Sequence, residues 1–201
     1  MIAVVQCVLE RQWYAERTVA EFTKMPGHLY VDRHRVGPYK AFIASLERFP
    51  SGPEYRLHLQ DDVILTPSLE DYLPTLEQEI RAREIDVLAL YAPRRGHIDA
   101  SAAAGERFAP FPNFLTMVAV LFSPWAVDAL MRHSGEYHEP YDDSYVQLIL
   151  KKYKRKAYVH LPSLAQHNVR LKSSVGHAAT SARTSKYFDP EFVAKWKAGE
   201  A

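Results

Sequence analysis

Two adjacent carboxylates, Asp61 and Asp62, stand at the end of an apolar run in the segment YRLHLQDDVIL, residues 55–65. Leu57 and Leu59 alternate with polar residues, the period-two pattern that indicates a strand. Neighbouring carboxylates repel each other, so a chain that keeps them beside apolar surface supplies a cation, solvent or hydrogen-bond donors. A divalent ion such as Mg²⁺ or Mn²⁺ meets this need, because such ions bind carboxylates and bridge to the phosphates of a nucleotide. The alternative is a turn in which the aspartate pair caps the next element.

The composition is that of an ordinary globular chain. With 201 residues the chain can bury a core without disulfides, and we expect a single domain spanning residues 1–201. Its formal net charge of +1 gives no global attraction to nucleic acid or to an anionic membrane, so such binding requires a local patch. The single cysteine, Cys7, lies in an apolar run and indicates a reducing compartment. No signal peptide, membrane anchor or membrane-spanning stretch is recognised, so we expect a cytoplasmic protein.

Strand and helix patterns alternate along the chain, which predicts an α/β fold with a mixed, mainly parallel sheet and helices on its faces. Thr66 and Pro67 predict the cap and first residue of a helix, and residues 92–113 predict a long loop. The predicted strands cover residues 2–9, 28–32, 55–65, 85–91, 114–122 and 157–161. The predicted helices cover residues 11–24, 37–49, 66–80, 123–135, 141–153 and 189–196.

This order of elements, with HLQDDVIL, DDSYVQLIL and LPSLAQHNVRLKSSVG, resembles the nucleotide-sugar glycosyltransferases of the GT-A fold. In that family a strand ends in an acidic motif, written DxD or EDD, that holds a divalent metal against the donor diphosphate. The resemblance implies that Asp62 binds Mn²⁺ or Mg²⁺ and that Asp61 faces the donor ribose, although the motif's first acidic place is Gln60 here. Residues 161–167 look like the family's PSLVQH element, which implies that His167 is a second metal ligand.

A second acidic pair, Asp142 and Asp143, opens the predicted helix at residues 141–153. Aspartate at a helix start is stabilising by itself, because it accepts hydrogen bonds from free N–H groups and complements the helix dipole. In GT-A enzymes that invert the anomeric centre, an acid at the start of this late helix takes the proton of the acceptor hydroxyl. The resemblance therefore implies that Asp143 is the general base, with Asp142 as the helix cap.

Several cationic and polar residues are candidates for contacts with the donor nucleotide. Arg11 follows the first strand, Arg94 lies in the long loop, and Lys172 and Ser173 follow the candidate metal ligand His167. Each of them is also explained as an ordinary solvated surface residue. The basic run KKYKRK at residues 151–156 is most often a solvated helix end, and its alternative role is to guide a polyanionic acceptor.

The resemblance implies a metal-dependent glycosyltransferase that moves a sugar from a nucleoside-diphosphate sugar to an acceptor hydroxyl. The small size resembles compact bacterial or phage-encoded enzymes, whose acceptors are bacterial surface glycans or hydroxymethylated bases in DNA. One alternative is a nucleotidyltransferase, although residues 2–17 contain none of the glycines expected of its phosphate loop. Another is a non-catalytic module that binds nucleotide sugars or glycans. The sequence does not specify the donor sugar, the stereochemical outcome or the oligomeric state.

Overall fold

The structure is a computed structural model that describes residues 1–50, 52–93, 95–171 and 184–200. The strands are β1 Ile2–Val8, β2 Gly27–Asp32, β3 Arg56–Gln60, β4 Val63–Leu65, β5 Val87–Ala89, β6 Phe108–Pro110, β7 Ala119–Phe122, β8 Ala157–His160 and β9 Ala165–His167. The helices are α1 Gln12–Ala20, α2 Pro38–Arg48, α3 Leu69–Ala82, α4 Gly96–Ala103, α5 Pro124–Arg132, α6 Asp142–Lys152 and α7 Phe192–Ala198, with a short 3-10 helix at Leu9–Arg11. No helix in the described part of the chain is long and apolar enough to cross a membrane.

Seven strands form one mixed sheet in the order β2-β1-β3-β7-β5-β8-β6, and β4 pairs with β9 in a small second sheet. β1 runs parallel to both β2 and β3, and β5 runs parallel to β8. β7 lies between β3 and β5 and is antiparallel to both, so five of the seven strands point the same way. The predicted fold class, α/β with a mixed and mainly parallel sheet, is confirmed. The carboxyl ends of the five aligned strands meet at one edge, which we call the carboxyl edge.

Helices cover both faces of the main sheet, which explains why its central strands are almost uniformly apolar. On one face, alternate residues of β1 and β5 pack against α1, α3 and α7. On the other face, residues of β5 and β7 pack against α2, α5 and α6. The sheet is therefore buried between two apolar layers, and polar groups are placed at the ends of its strands.

The predicted long loop at residues 92–113 is wrong, because this stretch contains α4 and β6. α4 has an alanine-rich sequence with good helix propensity. Only Ile98 of its residues is buried, so the helix lacks the apolar stripe by which a helix is predicted from sequence. β6 pairs with β8 alone at the margin of the sheet, where Pro110 is tolerated because an edge strand does not need every backbone N–H.

The predicted start of α3 is also wrong, because the helix begins at Leu69 rather than Pro67. Ser68 precedes it in a left-handed conformation with φ of 59°. The Thr66 hydroxyl does not cap the helix and instead donates to the backbone carbonyls of Asp189 and Pro190, tying the start of α3 to the segment before α7.

By contrast, Ser123, the first residue of the predicted helix at 123–135, caps α5. Its Oγ accepts a hydrogen bond from the Ala126 N–H and donates one to Asp86. We expect Ser123→Ala to lower the free energy of unfolding by about 1–2 kcal/mol, measured by urea denaturation. Ser68→Ala is the matched control, because Ser68 precedes α3 without a capping hydrogen bond to any described residue. Equal losses in the two variants would contradict this assignment.

Candidate active site

The candidate site is built where aligned strands end at the carboxyl edge. Arg11 follows β1, Asp61 and Asp62 follow β3, and Tyr91 follows β5. The chain then returns in β9, which pairs antiparallel with β4 so that His167 lies opposite Val63. Two residues whose proximity the sequence resemblance implies, Asp62 and His167, are thereby brought into contact.

Asp61 is held by protein groups on both of its oxygens. Its Oδ1 accepts from Arg11 Nη1 at 2.8 Å, and its Oδ2 accepts from the Val8 N–H at 3.3 Å. Burial raises the pKa of Asp61 to about 6, against the lowering effect of Arg11, and the charge of Asp62 raises it further. Asp61 therefore fixes the Arg11 guanidinium beside the second carboxylate.

Asp62 meets its partners on the other side of the site. His167 Nδ1 lies 3.2 Å from Asp62 Oδ2, and Arg11 Nη1 lies 3.9 Å from the same oxygen. The backbone is fixed as well, because the Asn168 N–H donates to the Asp62 carbonyl at 2.6 Å. The Tyr91 ring stands edge-on to the His167 ring with centroids 5.6 Å apart. The imidazole is thus oriented by backbone pairing and by an aromatic wall.

The chemistry of this donor set fits a divalent ion only in part. Within the described ranges, no three histidine, cysteine or acidic side chains cluster as a metal site. A carboxylate and an imidazole from Asp62 and His167 are suitable ligands for Mn²⁺. Ions of this class are commonly held by one or two protein groups, with substrate phosphates and water in the remaining positions. The residues therefore fit a metal that arrives with a phosphorylated ligand better than a resident structural ion.

The second acidic pair lies in the first turn of α6. The residue before the helix is Tyr141, and α6 begins at Asp142 itself, so the prediction of Asp142 as the helix cap is wrong. The helix therefore begins one residue earlier than a cap at Asp142 would require. Asp142 Oδ1 accepts from the Asp143 N–H, and Asp143 Oδ1 accepts from the Ser144 N–H.

Asp142 is buried and electrostatically unfavourable in its charged form. Burial, followed by the charge of Asp143, raises the pKa of Asp142 to about 7, and the Gln60 side chain acts in the opposite direction. Its Oδ2 accepts no hydrogen bond of regular geometry from the described part of the chain. Because Gln60 ends β3 directly before Asp61, the start of α6 lies against the same edge as the first acidic pair.

The basic run at residues 151–156 lies away from this edge. Its first two residues, Lys151 and Lys152, are the last two of α6, which extends for about 16 Å from Asp142. Arg155 pairs with Asp86, which precedes β5 and marks the opposite edge of the sheet. The role of guiding an acceptor toward the site is therefore not supported for this run. Arg94, Lys172 and Ser173 lie outside the described residues.

Two site residues, Tyr91 and Gln60, were given no role by reasoning from the sequence. Tyr91 stands against His167, and the Gln60 side chain acts on Asp142. Both stand at or next to the carboxyl end of a strand, and that position was the available signal. They could have been identified by looking for polar or aromatic residues at the carboxyl ends of strands, provided that the order of the strands in the sheet was known.

No protein-family model matches the chain, and no curated protein matches it by sequence. Similar solved structures include a glycosyltransferase involved in the glycosylation of the major capsid of PBCV-1, with 14% identity, a TM-score of 0.46, and coverage of 79% of this chain and 81% of that one. A197 from STIV has 12% identity, a TM-score of 0.46, and coverage of 83% and 85%. A UDP-glucose pyrophosphorylase complexed with UDP-glucose has 9% identity, a TM-score of 0.42, and coverage of 80% and 90%.

One of these structures is a glycosyltransferase. The reported TM-scores lie below 0.5, so the likenesses say nothing about the reaction or substrate of this chain. The site has to be interpreted from its own residues.

The buried Asp142 predicts a specific pH dependence of stability. Between the pKa of an unfolded aspartate, 3.8, and about 7, the folded chain keeps a proton that the unfolded chain has released, so stability falls as pH rises through this window. We therefore expect the difference in unfolding free energy between Asp142→Asn and wild type to change in favour of the variant, by on the order of 2–4 kcal/mol, when the pH is raised from about 4 to about 8. Urea unfolding at the two pH values measures this, and the exposed Asp128→Asn is the control. Parallel profiles for Asp142→Asn and wild type would show that Asp142 titrates normally.

Proposed function

We propose that this protein is a metal-dependent glycosyltransferase that moves a sugar from a nucleoside-diphosphate sugar to an acceptor hydroxyl. The observation that carries the proposal is the contact between Asp62 and His167, which are distant in sequence and come together at the carboxyl edge beside Arg11. Open α/β sheets bind their ligands at this edge. A carboxylate, an imidazole and a guanidinium at one point are complementary to a diphosphate with its divalent ion.

Each residue of the cluster has a distinct part in holding the donor. Asp62 and His167 would hold Mn²⁺ or Mg²⁺, which when bound neutralises charge on the departing nucleoside diphosphate. Arg11, fixed by Asp61, offers a permanent positive charge to the same phosphates. Burial of these groups strengthens their interactions, because water screens them less than at an open surface. Arg94, Lys172 and Ser173 remain candidates for further donor contacts.

The acceptor hydroxyl needs a base, and Asp143 is our candidate. It lies in the first turn of a rigid helix and is less buried than Asp142, so an acceptor can reach it. A carboxylate held on a rigid element can take the proton of an acceptor hydroxyl. Asp142 itself is buried behind it and acts as a positioning residue.

Nucleotidyl transfer is less well supported by the chain itself. Such an enzyme usually cradles phosphates in a glycine-rich loop after the first strand, whereas this chain has the 3-10 helix Leu9–Arg11 there, without glycine. A non-catalytic binding module would tolerate loss of the Asp62 charge. Release of a nucleoside diphosphate separates the proposal from nucleotidyl transfer, and the dependence of donor binding on metal and on Asp62 separates it from a binding module.

Donor binding should depend on metal through Asp62. In isothermal titration with a panel of UDP, GDP and CMP sugars, we expect Mn²⁺ to promote binding of one donor, and Mn²⁺ alone to bind weakly because the protein supplies only two ligands. Asp62→Asn should weaken metal-dependent binding by more than about tenfold. Asp128→Asn, an exposed acid on α5, is the matched control. If no donor binds under any condition, or if Asp62→Asn binds like wild type, the proposed site is wrong.

The base can be tested without knowing the acceptor, because water can replace it. We expect Asp143→Asn to slow hydrolysis of the donor by about 10²–10⁴-fold while leaving donor affinity within about twofold of wild type. Release of the nucleoside diphosphate measures the rate. Asp142→Asn retains the Asp143 carboxylate and should lose less. A larger loss in Asp142→Asn than in Asp143→Asn would transfer the role of base to Asp142.

A further inference from the structure

The exposed apolar side chains are distributed very unevenly over the molecule. Among the described residues, six large apolar side chains are exposed, and all six belong to segments at the carboxyl edge. Scattered exposed apolar residues are normal in proteins, but their confinement to the edge that carries the candidate site is not expected by chance. They are Leu9, Trp13, Val36, Ile64, Leu115 and Tyr141.

The densest part of this set is formed by the connections after β1 and β2. These strands are parallel neighbours that end side by side, with Val8 opposite Asp32, and Leu9 and Val36 lie in the connections that follow them. An ion pair between Glu10 and Arg35 joins the two connections. Trp13, which is 50% exposed, lies in the first turn of α1, directly after the 3-10 helix that contains Leu9. We call Leu9, Trp13 and Val36 the apolar rim.

The chemistry of the apolar rim is unsuited to a sugar alone. Sugar rings stack on aromatic faces, whereas two of the three rim residues are aliphatic and stand in water without any stacking surface. Tryptophan with leucine or valine beside cationic side chains is the composition of segments that lie in the interface of a lipid bilayer. A bilayer can accommodate all of these side chains at once.

Positive charge lies directly beside the apolar rim. The connection from β2 to α2 exposes Arg33, His34 and Arg35 in succession, and Lys40 is exposed in the first turn of α2. The pair with Glu10 offsets Arg35, and Arg33 makes no ion pair with any described residue. The chain as a whole is nearly neutral, with a formal net charge of +1, so this is a local patch. Anionic headgroups attract such a patch.

We infer that the apolar rim and the adjacent basic segment dock this protein on a bilayer surface that carries anionic lipid headgroups, facing the candidate site toward the membrane. This orientation would present an acceptor glycan carried by a membrane lipid to the site, a step that rests on the proposed function. It also agrees with the position of the basic run at residues 151–156, which lies at the opposite edge and is not needed to hold a polyanion.

Vesicle sedimentation tests the inference on the full chain. We expect binding to vesicles of phosphatidylcholine with about a third phosphatidylglycerol, weak binding to phosphatidylcholine alone, and loss of binding at high salt. Trp13→Ala and Arg33→Glu should each weaken binding about tenfold, because one removes the main interfacial anchor and the other reverses a charge. Trp13→Phe should retain most of the affinity. Lys156→Glu, an equal charge change at the opposite edge, is the matched control.

The inference is overturned if the wild-type protein does not sediment with anionic vesicles, or if Trp13→Ala and Arg33→Glu bind like wild type. It is also overturned if Lys156→Glu weakens binding as much as Arg33→Glu, because the attraction would then come from charge anywhere on the chain. Titration with donor sugars, performed on the same variants, keeps the two proposals apart. Retained donor binding without vesicle binding removes only the membrane inference, and the reverse result removes only the proposed transferase function.

Discussion

The structure depends on one electrostatic constraint, the burial of two adjacent carboxylates at the edge of a sheet. Asp61 and Asp62 are both almost fully buried, and their mutual repulsion would be costly without opposite charge nearby. Arg11 and the Val8 N–H meet one of them, and His167 meets the other. These partners come from the first and last thirds of the chain. The parallel pairing of β1 with β3 and the return of β9 to β4 are therefore what makes the arrangement possible.

This arrangement keeps two carboxyl groups whose charged forms are disfavoured by burial, Asp61 and Asp142, at the candidate site. The two apolar layers on either side of the sheet supply stability. At the carboxyl edge, by contrast, burial raises the pKa of both Asp61 and Asp142. A chain selected only for stability would not keep such groups, whereas a site that handles metal ions, phosphates or protons needs them. The physical cost is itself an argument for function.

The sequence alone predicted the α/β class and the acidic pair at a strand end, because apolar periodicity and turn signals are local properties. It did not predict that β3 is covered on both faces, so that Arg56 and His58 are buried beside Leu57 and Leu59. Arg56 donates to the Phe49 carbonyl and the Ser45 hydroxyl, while burial lowers the pKa of His58 and keeps its ring neutral. These outcomes depend on which helices cover the strand, and no local pattern contains that information. The contact of His167 with Asp62 could be predicted only through a family resemblance. It is produced by the pairing of β4 with β9, which no local pattern reveals.

The central claim is that Asp62 and His167 meet at one metal ion, and the most direct measurement is a crystal structure with Mn²⁺ and the nucleoside diphosphate that binds best. Anomalous scattering locates the manganese without ambiguity. The account predicts an ion about 2–2.3 Å from an oxygen of Asp62 and from a ring nitrogen of His167, bridged to the phosphates. An ion bound elsewhere, or a nucleotide bound at this edge while Asp62 and His167 keep their direct contact without metal, would contradict it.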